Sequence, residues 1–135
     1  TICSESLSSQ HVIDTVRQGA EILVNVGSDG WFGDWGEPQF HLAVARLRSV
    51  ETRRPQIRST NTGVSALILP DGEIATRSAV GKKATLSFSV PLISPIESTV
   101  VRWGDWFGWA SLITGVSTIL LIMIWVQMGS RRRGT

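Results

Sequence analysis

The sequence predicts an α/β layered domain, present only in part, followed by one membrane-spanning helix. Three observations carry that expectation. Apolar residues recur at helical spacing in two segments and at strand spacing in several others, alternating along the first half of the chain. From Phe107 to Ser130 there is no charged residue. Arg131, Arg132 and Arg133 follow at once. At 135 residues the chain has room for one ordinary domain at most. A single cysteine rules out a disulfide framework, and with two histidines there is no Cys/His cluster for a structural metal. A charged share of 18% without low-complexity stretches excludes a disordered chain.

Thr1 to Cys3 reads as the end of a strand, and Ser4 to Ser9 as a polar turn leading into a helix. In that helix Val12, Ile13 and Val16 share one face and Gly19 is the stop. Glu21 to Val26 is a short apolar run rich in β-branched residues, a buried strand. Gly27 to Glu37, rich in glycine and carrying Trp31, Phe32 and Trp35, is a loop. Pro38 suits the first turn of a second helix. Phe40, Ala43, Val44 and Leu47 form the stripe expected to be buried, with Arg46, Arg48 and Glu51 off it. Pro55 ends that helix. Gln56 to Thr60 and Val64 to Leu69 read as strands joined by Asn61-Thr62-Gly63; Pro70-Asp71-Gly72 turns the chain and Glu73 to Arg77 returns as a hairpin. Ala84 to Val90 alternates apolar and polar, as a half-exposed strand does. Four or five strands and two helices stop short at Thr1, so one side of the sheet is expected to be unpaired.

Ala110 to Val126 is the apolar centre of the last segment, and about 20 such residues span a hydrocarbon core of roughly 30 Å. Trp103, Trp106 and Trp109 crowd one end and Trp125 the other, as interfacial aromatics do. Taking the three terminal arginines from the thirteen basic residues leaves ten against eleven acidic. The basic excess is therefore a cytoplasmic stop signal and no nucleic-acid-binding surface is expected. The expected organisation is an extramembrane domain over 1–102, a spanning helix with its aromatic flank over 103–130, and a basic tail over 131–135. The tail should be cytoplasmic and residues 1–102 periplasmic in a Gram-negative host. No cleavable signal peptide is visible at the start, and one C-terminal helix would not export all that precedes it, so further upstream sequence is expected.

Cys3 is the one thiol. It is either a small buried hydrophobe or a nucleophile. Its position at the end of an apolar strand, before Ser4-Glu5-Ser6 and a helix, favours the second. A strand–turn–helix elbow exposes a side chain and aims the following backbone N–H groups at a developing oxyanion. Glu5 either orients the thiol or a substrate amine, or favours the helix N-terminus.

The stretch Ile2-Cys3-Ser4-Glu5, then Val24-Asn25-Val26 leading to Asp29-Gly30-Trp31-Phe32-Gly33-Asp34, resembles the C-terminal part of the bacterial apolipoprotein N-acyltransferase family. His41-Leu42-Ala43, the run from Ala45 to Glu51, the run from Arg58 to Ala66, Pro70-Asp71-Gly72 and the final helix after Gly104-Asp105-Trp106-Phe107 continue the resemblance in order. It implies a partial nitrilase-like α-β-β-α sandwich followed by one C-terminal transmembrane helix, in a multi-pass protein of the bacterial inner membrane. It implies transfer of an acyl chain from a phospholipid, through a thioester on Cys3, to the amine of a diacylglyceryl-modified apolipoprotein cysteine. Glu5 matches a carboxylate that the family needs beside the nucleophile; no cofactor or metal is implied. The superfamily's catalytic Glu and Lys lie upstream of the cysteine, and Lys82 and Lys83 sit in a turn far downstream. A thiol is a weak nucleophile until a base or a neighbouring cation ionises it, so this piece is expected to be inactive alone. The sequence departs from the usual pattern at Ser4, where Tyr is usual, and at Ser28, where Asn is frequent.

Trp31, Phe32 and Trp35 on the glycine-rich loop are read as a lipid-facing rim, with core plugs as the alternative. His11 and His41 are assigned structural or surface roles. Arg46 and Glu51 tie their helix to neighbouring strands, and Asn61 is turn chemistry. Two other functions fit the same residues: a membrane-anchored nitrilase-type amidase, and a non-catalytic membrane-anchored binding domain.

Overall fold

The computed structural model describes residues 1–30, 36–92, 96–104 and 106–132 and divides into two units, Thr1–Gly104 and Asp105–Thr135. In the first unit a short 3₁₀ turn, Cys3–Leu7, leads into α1, Ser9–Arg17. Ser8 caps α1, its hydroxyl accepting the His11 N–H, and Gly19 leaves it at φ +98°. Strand β1, Leu23–Gly27, is followed by α2, Glu37–Thr52, and β2, Gln56–Thr60; β3, Ala66–Ile68, and β4, Ile74–Arg77, complete the order. The sheet runs β1-β2-β3-β4, with β1 and β2 parallel and the other pairs antiparallel. Thr1 and Ile2 extend it beyond β1, Val26 N–H donating to the Thr1 carbonyl at 3.2 Å.

Two apolar clusters hold the helices to one sheet face. Leu42 and Ala45 of α2 pack with Val64, Ala66 and Ile68, and Val12 and Val16 of α1 pack with Leu23 and Val101. The opposite face of β1 carries Val24 and Val26, which are 46% and 53% exposed. A strand apolar on both faces is one suited to being covered on both.

The second helix corrects the expected stripe. Phe40 is 60% exposed and Leu47 49%, Ala43 is exposed, and Val44 is half-buried. The face turned inward is His41, Leu42, Ala45, Arg48, Ser49 and Thr52. Thr52 donates to the Arg48 carbonyl and Ser49 donates to Gln56 at 3.4 Å, while Arg48 stands 2.9 Å from Glu51 as an ion pair, its Nε and Nη1 making no hydrogen bond among the described residues. Polar groups satisfied inside the fold can occupy a core face, which the apolar periodicity does not register. Arg48 is thus buried rather than off the packed face. Arg46 does tie the helix to the hairpin, donating to the Gly72 carbonyl at 2.8 Å, and Glu51 binds the Ser9 hydroxyl.

Ala84 to Val90 is a second correction. Leu86, Phe88 and Val90 are more sheltered than Ser87 and Ser89, but the segment forms no ladder among the described residues. Alternation supplies a face; a strand also needs a partner edge. A short helix not expected from the sequence, α3, Thr99–Trp103, follows, capped by the Ser98 hydroxyl and closed by Gly104 at φ +67°.

The second unit is α4, Trp106–Arg132. Trp106–Trp125 is long and apolar enough to cross a membrane and none of it is buried. Thr114 and Thr118 return their hydroxyls to the carbonyls of Ala110 and Thr114 at 2.8 and 2.9 Å, so both donors are paired within the helix.

Candidate active site

Cys3 is exposed and stands at φ +49°, in the left-handed region that costs a non-glycine residue about 1–2 kcal/mol. Strain of this kind persists only where the surroundings fix it. Gly27 comes so close that a Cβ there would lie 3.1 Å from the Cys3 Cα, so a side chain at the end of β1 would press on the elbow. The Cys3 carbonyl accepts from Asn25 Nδ2 at 3.2 Å and from the Ser6 hydroxyl at 3.3 Å. Glu5 grips Ile2, the residue before Cys3, twice: its carboxylate accepts the Ile2 N–H at 2.7 Å and its own N–H donates to the Ile2 carbonyl at 3.1 Å. His11 Nε2 lies 3.7 Å from the same carboxylate oxygen. Of the roles open to Glu5, the geometry supplies fixing of the turn.

Behind the elbow is a buried polar network. Asn25, Asp29 and Arg58 are each no more than 4% exposed. Asn25 and Arg58 are register partners across β1 and β2. Arg58 Nη1 donates to Asn25 Oδ1 at 2.6 Å, and Nη2 meets both Asp29 oxygens at 3.1 and 2.9 Å. His41 Nδ1 stands 2.9 Å from Asp29 Oδ1; a carboxylate beside a guanidinium accepts, so this ring nitrogen donates. The chain His41–Asp29–Arg58–Asn25 ends on the carbonyl of the strained cysteine. A cavity of about 490 Å³ opens beside Asp29, lined by Gly30, Pro38, Gln39, Thr62 and Val80; Cys3 does not line it. Trp31, Phe32 and Trp35 lie outside the described residues.

Glu5 lies two residues from Cys3, and the contacts of its carboxylate are with the Ile2 N–H and His11. The sequence pattern suggests Cys3 and Glu5 as site residues. It assigned no joint role to Asn25, Asp29 and Arg58, and left His41 a general structural one. The available signal was a pair of polar residues, Asn25 and Arg58, at inward positions of otherwise apolar strands. Gly63 tests how tightly this network is built. A Cβ there would lie 1.8 Å from Asp29 Oδ2. Gly63→Ala is expected to push the carboxylate off Arg58 and lower stability by about 1–3 kcal/mol, read from the chemical-denaturation midpoint; an unchanged midpoint would contradict the clamp.

A mixed sheet with helices on one face and a strained cysteine at the strand-to-helix elbow define a class. Residues 1–93 match the carbon-nitrogen hydrolase family, and the chain belongs to it. Within that family it is similar to named apolipoprotein N-acyltransferases: 40% identical over 106 residues to that of Bdellovibrio bacteriovorus, covering 78% of this chain and 19% of the relative. It is 31% identical over 121 residues to that of Shewanella oneidensis, covering 90% and 22%. The chain thus spans about a fifth of the length of these relatives. Among solved structures, the nitrilase-superfamily protein Nit3 of Saccharomyces cerevisiae aligns with TM-score 0.53 at 18% identity, covering 61% of this chain and 33% of that one. An amidase of the same superfamily from Nesterenkonia gives 0.50 at 16%, covering 58% and 32%. These last two establish the shared nitrilase fold.

Proposed function

We propose that this chain is the nucleophile-bearing C-terminal portion of an apolipoprotein N-acyltransferase. The observation that carries the reading is the exposed Cys3, held at positive φ by Asn25, Ser6 and Gly27. The Cys3 thiolate attacks the ester carbonyl of a phospholipid acyl chain; the ester C–O bond breaks, lysophospholipid leaves with a proton, and an acyl thioester remains. The α-amine of a lipoprotein's S-diacylglyceryl-cysteine then attacks the thioester, forms the amide, gives up a proton and returns the thiol. Glu5 fixes the elbow, and Trp31, Phe32 and Trp35 contact the acyl chain. The helix α4 anchors the enzyme in the bacterial inner membrane, with residues 1–102 in the periplasm and the C-terminus in the cytoplasm.

The base and the cation that ionise the thiol, a Glu and a Lys, belong to the remaining length of the full enzyme, and a second sheet from there covers Val24 and Val26. The test is release of lysophospholipid without acceptor. The full-length parent should release a single-turnover burst of about one equivalent and then stop, and the 135-residue chain should release none. Continuous release without acceptor, or turnover of a soluble amide, would instead mark a hydrolase.

A further inference from the structure

Away from Cys3, a cavity of about 450 Å³ is walled by three arginines, Arg17, Arg54 and Arg102, and one carboxylate, Glu97, over a floor of Val16 and Val101. Arg54 is the unusual member. It is only 6% exposed. Its Nε donates to the Ala20 carbonyl, and its Nη1 faces the carbonyls of Thr52, Arg53 and Ile96. Among the described residues no carboxylate pairs with it, and Nη2 has no protein acceptor. A guanidinium bonded to carbonyls alone, with Nη2 left to the cavity, keeps its whole charge, which favours an anion beside it. Arg102 is exposed and its side chain makes no ion pair among the described residues. Arg17 shares its charge with Asp14 at 3.5 Å while donating Nε to the Val101 carbonyl at 2.7 Å, so it is held at the cavity wall. The walls carry a net charge of +2.

We infer that this cavity binds the phosphate of an anionic phospholipid headgroup, as a site separate from the acyl-transfer centre. Guanidinium forks match phosphate oxygens in geometry as well as charge. The occupant is a lipid because of where the cavity falls in the chain. In sequence Arg102 comes four positions before Trp106, the first residue of the apolar helix. Trp103, next to Arg102 on α3, is 63% exposed, and tryptophan beside arginine at the end of a span is the composition of a lipid–water interface.

Native mass spectrometry of the 135-residue chain, released from neutral detergent doped with phosphatidylglycerol or with diacylglycerol, tests the site. One phosphatidylglycerol should be retained in preference to diacylglycerol, and Arg102→Gln should lower that retention by about fivefold. Arg54→Lys, which keeps the charge and loses the fork, should lower it also, with circular dichroism confirming that both variants are folded. Arg77→Gln, which removes an exposed positive charge on β4 away from this cavity, should retain the lipid unchanged, so a loss confined to the cavity arginines marks this site. Equal retention of the two lipids, no loss in Arg102→Gln, or an equal loss in Arg77→Gln would overturn the inference. Inorganic phosphate retained as firmly as the lipid would mark a free-anion site and overturn it equally.

Discussion

Replacing Arg58 with alanine is expected to lower the stability of the folded domain by about 3–5 kcal/mol, the cost of breaking a buried ion pair by removing one partner. Asp29 would remain with its carboxylate sealed from water, the guanidinium fork gone and His41 its one partner in the network. Asn25 would lose its contact with Nη1 at the same time. Against a typical total of about 5–15 kcal/mol, such a loss brings the domain close to unfolding. Arg58→Lys should recover only part of it, because an ammonium cannot reach Asn25 and both Asp29 oxygens as a planar fork does. Denaturant titration in detergent, followed by far-ultraviolet circular dichroism, measures both variants. A loss below about 1 kcal/mol for Arg58→Ala, the range of an exposed pair, would contradict this account of the network.

The largest effect on activity is expected at Cys3. In the full-length enzyme Cys3→Ala should reduce acyl transfer by at least about a thousandfold, since no other group in the proposed mechanism can hold the acyl chain. Stability should move the other way in a related variant. Cys3 is exposed, so it contributes little packing, and at φ +49° it carries backbone strain. Cys3→Gly relieves that strain while enlarging the unfolded ensemble, so it should leave stability unchanged or raise it by up to about 1 kcal/mol. A variant that is dead as an enzyme and no less stable is the signature of strain kept for function. A Cys3→Gly domain destabilised by several kcal/mol would instead mark Cys3 as a packing residue.

Much of the fold was legible because it follows apolar period. Val12, Ile13 and Val16 gave α1, the turn at Pro70-Asp71-Gly72 gave the hairpin, and the uncharged run from Phe107 gave α4. The misreadings share a cause. The buried face of α2 is built largely from His41, Arg48, Ser49 and Thr52, so a search for apolar residues selects the exposed Phe40 and Leu47 instead. The segment from Ala84 to Val90 has strand alternation and no partner, and pairing is a tertiary fact. The helix α3 is five residues long, too short for a period, although Ser98 and Gly104 bracket it as cap and stop. At the site, Cys3 and Glu5 stand out as candidates because they lie two positions apart in one short motif. The network was not, because Asn25 and Arg58 are 33 positions apart and meet through β-sheet register.

The central claim is that Cys3 carries the acyl group. Its most direct test is peptide mass spectrometry of the full-length enzyme after incubation with phospholipid and no acceptor. The account predicts one acyl chain on the peptide containing Cys3, removable by neutral hydroxylamine as a thioester is, and transferred when acceptor lipoprotein is added. An enzyme that transfers acyl chains without ever carrying one on Cys3, or that carries it on another residue, would contradict it.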